Sequence, residues 1–147
     1  MPEKVEISIA IANCSGRSNI GQMSLEIAKR VDKALPYANI RCLPALWPNL
    51  KPAGKFFEDD AVVVIDGCKE ACVLRTVEKA GLTPILRVAP DETFGVEKQP
   101  GLDFDEQVLD EIAEKTIAMV REVAERLREQ KRHAVENAQT VRQEVAK

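Results

Sequence analysis

Four cysteines carry most of the chemistry legible in this chain: Cys14, Cys42, Cys68 and Cys72. Cys68 and Cys72 stand four residues apart at the head of a predicted helix. That spacing puts two side chains on one helix face, with Cβ atoms about 5–6 Å apart. Backbone N–H groups and the positive end of the helix dipole favour thiolates at such a place. Thiolates either ligate a metal or act as nucleophiles and redox partners. The long gaps between the cysteines argue against a zinc ribbon or knuckle, in which two close pairs come from two hairpins. Any shared site must be gathered by the fold. His133 is the only histidine and sits in a polar stretch, so no catalytic imidazole is available.

The elements that would gather the cysteines are readable. Ala61 to Ile65 is an unbroken apolar run rich in β-branched residues, as expected of a strand buried on both faces. Asp66-Gly67 ends it, and a helical period follows, with Val73, Val77 and Ala80 on one face and Gly81 as the C-terminal cap. Upstream, Val5 to Ala12 predicts a first strand. The small polar run "NCSGRSNIGQ" breaks it, and a helix follows with Ile20, Met23, Ile27, Val31 and Leu35 as its stripe. Asn39 to Leu43 predicts a short second strand that contains Cys42. Pro44, Pro48 and Pro52 make the next stretch an irregular connection. Pro84 to Val88 predicts a fourth strand, with a loop after it. From Asp103 the pattern is one long helix with a buried stripe through Val108, Ile112, Ile117, Val120, Val123, Ala124 and Leu127. Beyond Arg128 only Ala134, Ala138, Val141 and Val145 remain apolar on that stripe.

Strand–helix–strand alternation predicts a small three-layer, Rossmann-like α/β fold with a mainly parallel four-stranded sheet and right-handed crossovers, plus a long C-terminal helix. The expected strand order is 2-1-3-4, which leaves a switch point between strands one and three, where ligands of such sheets sit. Residues 1–127 form the expected domain and 128–147 a polar helical tail that could pair two copies. Cys14 lies just past strand one, Cys42 near the end of strand two, Cys68 just past strand three and Cys72 one turn further on. All four therefore belong to one sheet edge. Four thiolates in a tetrahedron are a ligand set that zinc prefers. Cys42, inside a strand, also suits a small buried core residue, and Cys68 with Cys72 also suits a redox pair.

Composition narrows the class. Apolar residues make up 45% of the 147, charged residues 31%, and the net charge is −3. An acidic balance argues against nucleic acid as partner. No apolar run reaches the roughly 18–20 residues of a membrane helix. The N-terminal stretch reads without a secretory leader, so the expected location is the cytoplasm, where four cysteines point to metal or redox chemistry rather than disulfides.

"CSGRSNIGQ" after the first strand, a cysteine near the end of the second, and "VIDGCKEAC" before a helix ending in "EKAG" together resemble the DGC-domain family. These presumed zinc-binding proteins are named for the central Asp-Gly-Cys. The resemblance runs from about Val5 to Val120. It implies that Cys14, Cys42, Cys68 and Cys72 correspond to the family's four presumed chelating cysteines, and it supplies a ligand but no reaction.

Asp66 suits a role in orienting a ligand or bonding turn amides, and equally an Asx turn before Gly67. Four thiolates around a divalent ion leave two negative charges, which Arg17 and Lys69 are placed to offset. The loop of Ser15, Gly16, Ser18 and Asn19 precedes a helix N-terminus that can receive an anion, but it has neither a dinucleotide fingerprint nor a P-loop. A small-anion thiol enzyme would use Cys14 as nucleophile, like the small tyrosine phosphatases and arsenate reductases. Their loop needs an arginine six residues after the cysteine, where this chain has Ile20, its arginine being Arg17. The expectation is therefore a zinc-binding protein, with an iron–sulfur cluster as the chemical variant. The rival readings are a thiol-dependent enzyme using Cys14 or the Cys68/Cys72 pair and an assembly module acting through the C-terminal helix. No general acid–base pair is legible, which leans against enzyme activity.

Overall fold

The computed structural model describes residues 5–47 and 50–146. The first four residues of the N-terminal stretch, Pro48 of the expected irregular connection, Asn49, and Lys147 at the tail's end lie outside the described residues. The elements run β1 (Ile9–Asn13), α1 (Asn19–Ala34), β2 (Ala38–Ile40), α2 (Gly54–Glu58), β3 (Ala61–Ile65), α3 (Cys72–Lys79), β4 (Leu86–Val88), α4 (Pro90–Phe94) and α5 (Glu106–Val145). Two 3₁₀ turns, Leu43–Leu46 and Lys51–Ala53, connect β2 to α2.

The four strands form one all-parallel sheet in the order β2-β1-β3-β4. All five residues of β3 are buried, because a parallel sheet is covered on both faces and leaves no polar side. Ile9, Ile11, Val63 and Ile65 face one cluster with Ile20, Met23, Ile27 and Val31 of α1 and Leu109, Ile112, Val120 and Ala124 of α5. Ala10, Ala12, Val62 and Val64 face the other, with Val73 and Val77 of α3, Phe56 of α2 and Leu46 of the first 3₁₀ turn. The result is three layers, α1 and α5 on one side of the sheet and α2 and α3 on the other. Each fully buried Val, Ile or Leu contributes roughly 1.5–3 kcal/mol of transfer free energy. Because β1 runs to β2 on one side and the chain then crosses to β3 on the other, the switch point lies between β1 and β3, as the strand pattern predicts.

Local chemistry moves several boundaries. β1 starts at Ile9 rather than Val5, and the backbone N–H of Ser8 donates to Asp60 (2.8 Å). β2 ends at Ile40. Arg41 still donates its N–H to Ile11, but its guanidinium turns to Asp59 in a paired contact of 2.7 and 2.9 Å. Pro44 then sits in the opening of the 3₁₀ turn. Cys42 is thus outside the strand and exposed, which removes the core-residue reading. A short helix, α4, replaces the expected loop after β4. Pro90 opens it, Asp91 and Glu92 complement the dipole of its first turn, and Gly95 caps it at φ 72°.

The long helix α5 begins under an Asp105 cap, whose carboxylate accepts from the N–H groups of Gln107 and Val108. It leaves the body at a defined point. Arg128 lies over the Tyr37 ring, 4.6 Å from its centroid, and Lys131 donates to Glu6 O (2.8 Å) and to the Asp60 carboxylate. From Arg132 to Ala146 every residue is exposed, Val135, Val141 and Val145 among them. No helix is long and apolar enough to cross a membrane among the described residues.

Candidate metal centre

The carboxyl ends of the strands are also the cysteine edge. Cys14 follows β1 directly and stays in register, its N–H donating to Ile65 O at 2.9 Å. The chain then doubles back, and Gly16 donates its N–H to Cys14 Sγ at 3.3 Å. Two glycines permit this packing. A Cβ on Gly67 would stand 3.1 Å from Cys14 Sγ and 3.3 Å from Gly21 Cα, and one on Gly21 would be only 2.4 Å from Gly16 O. The loop after β1, the first turn of α1 and the turn after β3 therefore meet backbone to backbone. The Cys14 sulfur is held against Gly67, the residue before Cys68.

Cys68 is half-buried and packs toward the α1/α5 layer, whereas Cys14 packs toward the α2/α3 layer. Cys72 is exposed and opens α3. Here the structure corrects the expected spacing. Ala71 takes a left-handed conformation, φ 55° and ψ 39°, and the helix begins only after it. Cys68 thus belongs to the preceding turn, and the two cysteines do not share a helix face. Nor is the N-terminus of α3 free to receive thiolates. Asp66 accepts from the N–H of Val73 (2.8 Å) and Leu74 (3.4 Å) and so caps the helix from six residues upstream.

Asp66 is only 1% exposed, and its carboxylate is satisfied by those two amides and by Arg87 Nε at 2.8 Å. Its backbone carbonyl accepts from Ser24 Oγ. Arg87 continues the network to Glu92 (3.1 Å) and to the carbonyl of Cys68 (3.3 Å). Burial works against its charge, but the hydrogen bonds to Asp66 and Glu92 prevail and hold the guanidinium pKa above the ordinary arginine value. Asp66 thus bears on the cysteine turn through structure rather than by touching a sulfur. A buried carboxylate at a strand end, answered by an arginine one strand over, leaves no periodic signature, so Arg87 escaped the sequence reading.

Arg17 and Lys69 are exposed, and Lys69 engages Asp91 only through its backbone N–H. The ammonium of Lys98 stands 3.6 Å from Cys68 Sγ. It arrives on a strap that Asn19 fastens over the head of α1. The Asn19 side-chain amide donates to Glu97 O (2.9 Å) and accepts from Gln99 N–H (2.6 Å), and its backbone N–H reaches Gln99 O (3.0 Å). Ser18 pairs with Pro100 beside it.

The fold therefore brings all four cysteines to one edge, with Cys14 and Cys68 half-buried and Cys42 and Cys72 exposed. It does not draw them together as metal ligands: no three His, Cys, Asp or Glu side chains converge among the described residues. The donor chemistry of four thiols suits zinc or an iron–sulfur cluster.

A family model described as the DGC domain matches residues 10–116. The chain belongs to the DGC-domain family. No curated protein and no solved structure matches it. The matched segment takes in all of the sheet but Ile9, together with all four cysteines, Asp66, Arg87 and the Lys98 strap, and it ends inside α5, ahead of the exposed part of that helix.

Proposed function

We propose that this DGC-domain protein binds one zinc ion through Cys14, Cys42, Cys68 and Cys72, as a cytoplasmic metal-binding protein rather than an enzyme. The observation that carries the reading is the delivery of four thiols to one sheet edge from three successive strand ends. Cys14 Sγ lies against the turn that bears Cys68, so two of the four have positions set by backbone packing. Cys42 and Cys72 are exposed, each at the opening of a short helical segment, and are the pair that must turn inward to complete a four-sulfur shell. Lys98 stands where it offsets part of the charge of such a centre. Zinc in a closed thiolate shell supplies folding free energy, and zinc in a shell with an open position exchanges or polarises a ligand. The chain's own residues hold the sulfurs and shield one side of them.

Protein purified without added metal should carry one zinc per chain by elemental analysis, with an all-sulfur first shell near 2.3 Å in X-ray absorption. A shell with fewer than two sulfurs would end the proposal. A brown protein would replace zinc by an iron–sulfur cluster on the same ligands.

The tail is proposed to pair two copies. The stripe of Ala134, Ala138, Val141 and Val145 continues the core-facing stripe of α5 past the last anchor at Lys131, and an isolated helix of that length is marginal in water. Ending the chain at Lys131 should leave the thermal midpoint of the domain in place and abolish any dimer seen by light scattering at micromolar concentration. Full-length protein that scatters as a monomer would show that the tail does not assemble.

A further inference from the structure

On the face of the sheet that carries α2 and α3, the first 3₁₀ turn and the two helices enclose a groove of about 750 Å³. Leu46, Trp47 and Phe57 line one wall, and Arg75 and Lys79 of α3 with Ala80 just after it line the other. Trp47 is 74% exposed and Phe57 51%. Leu50, on the same connecting segment as Trp47, is 53% exposed. Single exposed apolar residues are ordinary on a soluble protein, but an exposed tryptophan and an exposed phenylalanine lining one concavity mark an interaction surface. Tryptophan and arginine are also the residues that dominate binding energy at interfaces.

The charge on the α3 wall indicates what sits there. Arg75 and Lys79 are an i,i+4 pair of like charges, which works against the helix that bears them. Among the described residues neither has a carboxylate within ion-pair distance, although several other exposed basic residues of this chain do. Two unanswered cations flank an apolar trough whose α3 wall runs from Arg75 to Ala80, about 7.5 Å of helix axis. We infer that the groove is a docking site for an amphipathic helical segment of another protein, with apolar anchors for the trough and acidic residues for Arg75 and Lys79. Helix-in-groove recognition uses anchors at this spacing. A small ligand fits less well, because pockets for small molecules bury most of their ligand, and this one is walled by a tryptophan that is mostly exposed. The tail of a second copy fits less well too. Past Lys131 its described residues carry Arg132 and Arg142 against Glu136 and Glu144, with no acidic excess to meet the α3 wall.

The groove ends near the cysteine edge. Cys72 lies one turn before Arg75 on α3, and Cys42 directly precedes the 3₁₀ turn that supplies Leu46. A seated helix therefore comes within reach of the two exposed cysteines, although its binding does not depend on what they hold.

Trp47 is the only tryptophan in the chain, so intrinsic fluorescence of the full-length protein reads the groove directly. The probe is a synthetic amphipathic peptide of about five helical turns, with leucines at helical spacing, glutamates elsewhere and no aromatic residue. It should shift the Trp47 emission to the blue in a saturable way. Replacing its glutamates by lysines should weaken binding about tenfold or more, as should Arg75→Glu with Lys79→Glu in the protein. Absence of a saturable shift with the acidic peptide overturns the inference. So do equal responses to both peptides, or a shift produced by raising protein concentration alone, which assigns the groove to a second copy. If the double variant does not fold by circular dichroism, the comparison of the two peptides on the unaltered protein decides.

Discussion

Asp66→Ala is expected to lower the stability of this domain by about 3–5 kcal/mol, the cost typical of removing one partner from a buried ion pair. For a chain of this size that is a fall in thermal midpoint on the order of 10 °C. The carboxylate is 1% exposed and serves Val73 N–H, Leu74 N–H and Arg87 at once. Its loss leaves α3 uncapped and Arg87 partly buried with only Glu92 to answer it. Because Arg87 also holds the carbonyl of Cys68, the damage should spread to the cysteine turn. Asp66→Asn keeps the shape and one acceptor oxygen and should cost less than Asp66→Ala, since a neutral amide still accepts from a helix N–H but no longer pairs with the guanidinium. Urea unfolding of the two variants checks both statements. A loss under 1 kcal/mol for Asp66→Ala would show that the network is not what fixes the turn.

Cys14→Ser and Cys68→Ser should each reduce zinc affinity by more than roughly 100-fold. Removing a group that merely supports a metal ligand already costs 10–100-fold, and losing a thiolate donor must exceed that. Cys42→Ser and Cys72→Ser should also lose affinity if the shell closes on four sulfurs. Chelator competition on the four single variants measures the series. If only Cys14 and Cys68 matter, the exposed pair is not part of the site. Equal zinc uptake by all four variants and the unaltered chain would refute the metal proposal and turn attention to the thiol-enzyme reading. Neither outcome touches the docking groove, because the fluorescence of Trp47 is read without metal.

The layers and their order were legible from the residues alone. Ala61 to Ile65 is apolar at every position, which only a strand covered on both faces allows, and the alternation of such runs with helical stripes leaves few right-handed parallel arrangements. Cys14 and Cys68 follow strand ends, and a parallel sheet puts all its strand ends on one edge, so their shared edge followed from sequence. Which side chains meet at that edge did not. The turn into α3 is set by a left-handed Ala71 and by Asp66 reaching forward to cap the helix. Neither leaves a periodic trace, so Cys68 and Cys72 read as sharing one helix face when they do not. Cys42 read as a strand residue because local propensity is silent about Arg41 turning to Asp59, 18 positions away. Lys98 lies 30 positions from Cys68 and reaches it only because Asn19 fastens the strap across α1. Patterns of period two and 3.6 record which face of an element is buried. Contacts between loops from different elements have no period, and only the folded chain decides them.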